Sequence, residues 1–316
     1  MVKLFISNRS IVQFLLPPVV LTYVLFNNHS NYFVHANLLS FGFWGNLEIN
    51  SIISQLLAGL LVIINAIGLN AIFNWNQFLE RNSFMPSLLY VVLMSFYHSF
   101  YDIDGLLVAH TFLILSLYQV YFLRQNEDGR RATFNATFFG GVAATFHPPL
   151  IGYLPFYFVM IWTIRPFILR EILLSIVGFL VPLLYASFYL YYSGNSLDMS
   201  IFKQSTNFQR QQFDFLVTLV IFLLSLILSF LSIQAHIRKS SIRLKKLTRV
   251  LWFMVVAGLL MGLIDFISHN QIQRFSLIMI PLSFFLTFSY FHKTLSSLAI
   301  GLFYITLSYS VIKFFL

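Results

Sequence analysis

The sequence predicts an all-α membrane protein, a polytopic bundle of transmembrane helices that forms a single integral membrane domain over residues 1–316. Of these residues, 59% are hydrophobic and only 9% are charged, whereas a soluble domain carries about 25% charged residues. The apolar residues form runs of the length that a bilayer requires. The basic residues are concentrated in short loops between these runs, which is typical of a membrane protein oriented by positive charge.

Windows of about 20 apolar residues predict about eleven spans along the chain. They lie approximately at 10–26, 51–72, 86–100, 105–123, 134–147, 149–164, 171–191, 213–235, 250–267, 276–291 and 295–313. The runs at 86–100, 134–147 and 276–291 are short for a span, so these helices are expected to be tilted, re-entrant or merged with a neighbour.

The distribution of basic residues predicts that the N-terminus is cytoplasmic and the C-terminus lies outside. If the sides alternate along the chain, fifteen of the nineteen Lys and Arg residues fall on the cytoplasmic side. The four outside are Lys203, Arg210, Arg274 and Lys313. This bias is what the positive-inside rule predicts for the inner membrane of a bacterium.

Three loops have a length or a charge that predicts where they lie relative to the membrane. Residues 27–50 and 192–212 are predicted outer loops, and the aromatic residues of the first suit a segment lying in the headgroup layer. Residues 236–249 form a basic cytoplasmic loop, which we interpret as an orientation signal that contacts anionic lipid rather than nucleic acid. The chain has no cysteine, which excludes thiolate chemistry and cysteine metal sites.

The pair Asp102 and Asp104 is the first candidate site, because two carboxylates beside a bilayer are costly. In an extended segment both would point the same way. They could hold a divalent cation such as Mg or Mn through hard oxygen ligands, or one could act as a general base. The alternative is a solvated turn between two spans, where Asp is favoured for turn chemistry.

Two further outer residues allow a structural and a functional interpretation. Glu48 either favours the N-terminus of the next helix through the helix dipole or provides a second acid facing the Asp102 loop. His147 follows the small residues Gly140 and Gly141, which allow close helix packing, and precedes two prolines that must end the helix. It either makes ordinary backbone contacts or meets a phosphate at the outer surface.

The order of these features resembles the C-type (GT-C) glycosyltransferases, membrane enzymes that use lipid-phosphate-linked sugars. The resemblance covers roughly residues 1–195. It rests on Glu48, on Asp102 and Asp104, on the glycine-rich segment 140–148 and on the segment 178–195. The chain departs from the pattern in two places, since the first-loop acid is a glutamate at the far end of its loop and histidine stands at a position often held by lysine. As a whole the chain resembles a family of multi-pass inner-membrane proteins of Bacteroidota, which implies no particular activity.

The resemblance implies a polyprenyl-phosphate sugar donor that enters from the bilayer. It also implies that Asp102 or Asp104 serves as base or metal ligand, with Glu48 as a further acid, and that His147, Arg210 and Arg274 hold the phosphate.

The sequence leaves two main functions open. The first is this transferase, acting at the outer face of the membrane. The second is a non-catalytic subunit or scaffold of an envelope assembly or secretion complex, which the scarcity of buried charge and the 38 phenylalanines favour. Transport ranks third, because no acid is expected at the middle of a span, and Asp265 lies near the outer end of its span. Membrane lipids and other membrane subunits are the expected partners, and nucleic acid is not.

Overall fold

A computed structural model describes residues 2–7, 9–35, 38–123, 128–166, 168–193, 212–238, 240–269, 272–292 and 294–315. These residues form twelve α-helices and one small hairpin. The helices are α1 (Val2–Ile6), α2 (Leu16–Ser30), α3 (Ser51–Trp75), α4 (Met85–Met94), α5 (Gly105–Phe122), α6 (Arg130–Phe146), α7 (Leu154–Ile164), α8 (Leu169–Tyr192), α9 (Gln212–Arg238), α10 (Ile242–His269), α11 (Met279–Phe291) and α12 (Ser296–Ile312). Short 3-10 helices at Ser10–Leu15, Pro148–Tyr153 and Gln273–Ile278 lead into α2, α7 and α11.

Within the described residues, seven helical segments are long and apolar enough to cross a membrane. They are Ser10–Ser30, Ser51–Trp75, Gly105–Phe122, Leu169–Tyr192, Leu216–Arg238, Ile242–Ile267 and Gln273–Phe291. Three shorter apolar helices lie at Met85–Met94, Pro148–Ile164 and Ser296–Ile312. The all-α, multi-pass membrane class is therefore confirmed, whereas the count of eleven spans and the orientation stay predictions.

Two helices form the centre of the bundle. Every residue of α4 is buried, and so is α11 from Met279 to Tyr290. A helix that is apolar all round is stable only when other helices surround it. By contrast, α8 exposes many leucines and aromatic residues, and α2 exposes Leu21 and Leu25, which suits contact with lipid.

Small residues bring α6 against its neighbours. A side-chain carbon added at Gly141 would overlap the carbonyl oxygen of Phe179 in α8, and one added at Gly178 would lie 2.8 Å from the carbonyl oxygen of Phe134. A side-chain carbon added at Gly140 would lie 2.5 Å from the ring of Tyr157. The close helix packing expected from the glycines is therefore confirmed, because only a residue without a side chain fits at these crossings.

The predicted outer loop 27–50 is more ordered than expected. Strands β1 (Leu38–Ser40) and β2 (Asn46–Glu48) pair antiparallel around a 3-10 turn at Gly42–Trp44. Gly42 has a positive φ of 64°, and an added Cβ would lie 2.6 Å from the carbonyl oxygens of Thr145 and Phe146. The hairpin therefore packs on the end of α6, and Phe41 and Phe43 are buried there rather than lying in the headgroup layer.

The end of the bundle opposite the hairpin, which we call the basic end, carries Arg and Lys side chains that lie at the ends of helices. Arg243 donates to the carbonyl oxygen of Asn76 at 2.8 Å, and Lys246 donates to that of Ile164 at 3.1 Å. Arg165 pairs with Glu171 at 3.6 Å. Most of the predicted basic loop 236–249 is helical, because α9 ends at Arg238 and α10 begins at Ile242. Most of the predicted loop 192–212 lies outside the described residues.

Candidate functional site

A polar cluster lies at the hairpin end of the bundle, and the carboxylate of Asp102 is at its centre. Asp102 is 1% exposed. Nδ1 of His35 lies 3.0 and 3.1 Å from the two carboxylate oxygens, and Oγ of Ser54 donates to Oδ1 at 3.0 Å. Nε2 of His98 lies 3.4 Å from Oδ2. Such a buried carboxylate is tolerated because donors surround it.

Three separate segments supply these groups. Ser54 lies in the first turn of α3, which Asn50 caps through its side chain. His98 begins the 3-10 helix His98–Phe100, and Asp102 follows it one turn later. His35 comes from the chain between α2 and β1. The cluster is therefore an assembly of helix ends from several spans.

His35 is the member of the cluster that reaches the surface, with 21% of its side chain exposed. Its Nε2 lies 2.6 Å from Nε2 of Gln55, which is itself hydrogen-bonded to Asn28 at 2.9 Å. Because a carboxylate only accepts, Nδ1 of His35 carries the hydrogen that faces Asp102. Nε2 lies between the amide nitrogen of Gln55 and Oδ1 of Asn28, which is 3.3 Å away. A carboxylate that holds the Nδ1–H tautomer leaves Nε2 as a base.

Asp104 has a different role from Asp102. It is the N-cap of α5, since Oδ1 accepts the backbone N–H of Leu107 at 2.7 Å, and Oδ2 accepts from Ser99 at 2.6 Å. Burial raises the pKa of the Asp104 carboxyl above its ordinary value, and the nearby Asp102 raises it further. The hydrogen bonds from Ser99 and Leu107 and the charge of His98 oppose this effect.

The two aspartates thus do not converge on one ligand. All four carboxylate oxygens already face donors of the chain itself. Among the residues that the structure describes, no group of three or more His, Cys, Asp or Glu side chains is arranged to hold a metal ion.

Glu48 is exposed on β2, where it pairs with Leu38 of β1. It does not cap the next helix, because Asn50 has that role. No contact joins Glu48 to Asp102 among the described hydrogen bonds and ion pairs, and its predicted part as a second acid stays a prediction.

His147 and Arg274 belong to a second, deeper polar group. His147 ends α6 and is buried, and its Nε2 has no hydrogen-bond partner within the described part of the chain. Arg274 is buried beside Asp265, with Nη1 at 3.2 Å from Oδ1. His147 interacts electrostatically with Arg274 and with His110. Arg210, the third predicted phosphate ligand, lies outside the described residues.

An apolar cleft of about 290 Å³ opens between α9, α10 and the 3-10 helix that precedes α11. Its walls include Tyr97, Phe222, Leu223, Leu263, Ile272 and Phe275. Tyr97 directly precedes His98, and Ile272 directly precedes Gln273, whose Oε1 accepts the backbone N–H of His98 at 3.3 Å. Two residues that line the cleft are therefore sequence neighbours of residues at or beside the Asp102 cluster.

Sequence reasoning placed His35 and His98 near outer loops but gave neither a role. The four-residue spacing from His98 to Asp102, which is one helical turn, is a signal that could have linked them. Ser54 and Gln55 carry no such signal, since they stand in an apolar run and meet Asp102 and His35 only through the packing of α3.

No protein-family model matches the chain, and no curated protein or solved structure matches it. The geometry of the cluster and of the cleft is therefore the basis for a functional interpretation.

Proposed function

We propose that this chain is a membrane enzyme that transfers a sugar from a polyprenyl-phosphate donor at the outer face of a bacterial inner membrane. The observation that carries the proposal is the arrangement of His35, which faces the Asp102 carboxylate through Nδ1 and has 21% of its side chain exposed. The resemblance of residues 1–195 to the GT-C enzymes supplies the class of donor.

In this proposal His35 is the base, and Asp102 orients it. Nε2 of His35 takes the proton of the acceptor hydroxyl, and the acceptor oxygen forms a bond to the anomeric carbon of the sugar. The bond from that carbon to the phosphate oxygen breaks, and polyprenyl phosphate leaves with the electron pair. The proton then passes from His35 to solvent, and the negative charge of Asp102 stabilises the imidazolium in between.

The apolar cleft supports a donor with a hydrocarbon chain. It is lined almost wholly by apolar side chains, and burying each CH₂ group contributes about 0.8 kcal/mol. Tyr97 and Ile272 line the cleft and directly precede His98 and Gln273 in the chain, so the proposal directs the phosphate of a lipid lying in the cleft towards the Asp102 cluster. The oxygens of both aspartates face donors of the chain, so the steps proposed here use no divalent cation, and the cation expected for the acid pair stays a prediction.

Native mass spectrometry of the protein, extracted gently from its own membrane, tests this proposal. We expect a bound polyprenyl-phosphate species that is lost in Leu223→Trp, which fills the cleft, and kept in Leu224→Trp. Leu224 is the matched control because it is the next residue of α9, is similarly exposed and does not line the cleft. A wild-type protein that carries no such lipid would contradict the proposal.

A specific observation favours a second function. Asp104 caps α5 by accepting the backbone N–H of Leu107, which is a structural role rather than a catalytic one. In that alternative the chain is a non-catalytic subunit or scaffold of an envelope assembly or secretion complex. The exposed aromatic end of α8, which includes Tyr185, Phe188 and Tyr192, would then face a partner subunit. Stoichiometric partner proteins in the same mass spectra, with no lipid, would favour this alternative.

A further inference from the structure

Lys313, at the end of α12, is a basic residue on the predicted outer side of the membrane and is 0% exposed. Its ammonium group lies over five aromatic rings, with 4.8–5.7 Å between Nζ and each ring centroid. The rings belong to Tyr32, Phe33, Phe96, Tyr101 and Phe314. We call this arrangement the lysine cage.

A buried ammonium is costly unless other groups replace its hydration. In the cage the faces of the rings provide negative potential, which attracts a cation most strongly when the pair is desolvated. Nζ also donates a hydrogen bond to the carbonyl oxygen of Ser95. The cage therefore fixes the end of α12 and the aromatic rings relative to one another.

The cage and the Asp102 cluster share two chain segments. Tyr101 directly precedes Asp102, and Phe33 lies two residues before His35. The rings of Phe33 and Tyr101 are stacked with their centroids 4.7 Å apart. The side chain of Asn27 also holds the backbone of Phe33 through hydrogen bonds of 2.9 and 3.2 Å.

We propose that Lys313 is a positioning residue for His35. By holding Phe33 and Tyr101 against each other, it sets the imidazole of His35 against the carboxylate of Asp102. The effect of Lys313 on catalysis rests on the proposed function. Its effect on the position of His35 does not, so an experiment can contradict one claim and support the other.

The test measures the reactivity of His35 with diethyl pyrocarbonate as a function of pH, read by mass spectrometry of chymotryptic peptides. The exposed His29 in the same region is the internal reference. The Asp102→Asn variant gives the pH profile of reactivity for a His35 side chain that has lost the carboxylate facing it. We expect Lys313→Met to show the Asp102→Asn profile and Lys313→Arg to restore that of the wild type, since Arg keeps the charge over the rings.

Phe96→Leu keeps the proposal testable if Lys313→Met does not fold. Phe96 contacts Nζ, and it lies two residues before His98 rather than in the stacked pair of Phe33 and Tyr101. We expect a profile between those of the wild type and Asp102→Asn. Folded Lys313→Met or Phe96→Leu protein with the wild-type profile would overturn the proposal. If His35 shifts as expected but no bound lipid is found in any variant, the positioning role stands and the transferase does not.

Discussion

At the scale of single residues, Asp102 and Asp104 differ because only one of them begins a helix. Asp104 has an extended backbone and caps α5, whereas Asp102 lies two residues earlier and faces His35, Ser54 and His98. The same spacing that predicted a shared metal site thus yields two separate roles. Substitutions at the two positions should therefore have different consequences.

Replacing Asp104 tests its role as a cap. Asn is about as good an N-cap as Asp, while Ala costs about 1 kcal/mol of stability. We expect Asp104→Asn to unfold close to the wild-type temperature in detergent and to keep activity, and Asp104→Ala to unfold at a clearly lower temperature. Loss of activity in a stable Asp104→Asn protein would instead assign Asp104 to the chemistry.

The pH dependence of stability gives a second test of Asp104. Because burial raises the pKa of its carboxyl in the folded state, the folded protein binds this proton more tightly than the unfolded chain does. The contribution of Asp104 to the free energy of unfolding therefore falls as pH rises from the unfolded pKa through the folded pKa. Thermal unfolding between pH 4 and about pH 8 should show the wild type losing stability relative to Asp104→Asn. A constant difference across that range would contradict the raised pKa.

At the scale of elements, close helix contacts depend on glycines at positions where a side chain would overlap the neighbouring helix. Gly141→Ala places a methyl group against the backbone of α8, and overpacking of this kind costs about 1–3 kcal/mol. Gly301→Ala is the control, because Gly301 lies within α12 and nothing lies within 4 Å of the added carbon. We expect thermal unfolding in detergent to show a large loss for the first and no loss for the second. Equal effects would contradict the packing described for α6 and α8.

The long helices were predictable from hydropathy, but the parts between them were not. The predicted spans 51–72 and 171–191 correspond to Ser51–Trp75 and Leu169–Tyr192, because a bilayer fixes how many apolar residues a helix needs. The hairpin was missed, since its aromatic residues bury against helix ends that are distant in sequence. The lysine cage was missed for the same reason, because it joins Lys313 to residues more than 200 positions earlier.

At the scale of the whole molecule, the two ends of the bundle differ in chemistry. The hairpin end carries Asp102, Asp104 and His147, and the basic end carries Arg165, Arg243 and Lys246. The positive-inside rule then predicts that the basic end lies in the cytoplasm. This orientation is needed by the proposed function, which puts the His35 site outside.

Single cysteines report the orientation without interference, because the chain has none of its own. Glu48 is exposed on the hairpin, and Arg131 is exposed at the start of α6. We expect a membrane-impermeant maleimide to label Glu48→Cys in intact cells stripped of their outer membrane, and Arg131→Cys only after the inner membrane is opened. The reverse pattern would contradict the orientation and move the site to the cytoplasm.

The most direct test of the account is a single turnover of the lipid that remains bound to the purified protein. Protein carrying a sugar-loaded polyprenyl phosphate is mixed with a membrane extract that contains acceptors, and the mass of the bound lipid is followed. We expect the lipid bound to the wild type to lose the mass of its sugar. His35→Gln and Asp102→Asn should bind the same lipid, but the sugar mass should disappear about 10²–10⁴ times more slowly, as removal of a general base predicts. Equal rates in all three proteins would contradict the role of His35 and Asp102.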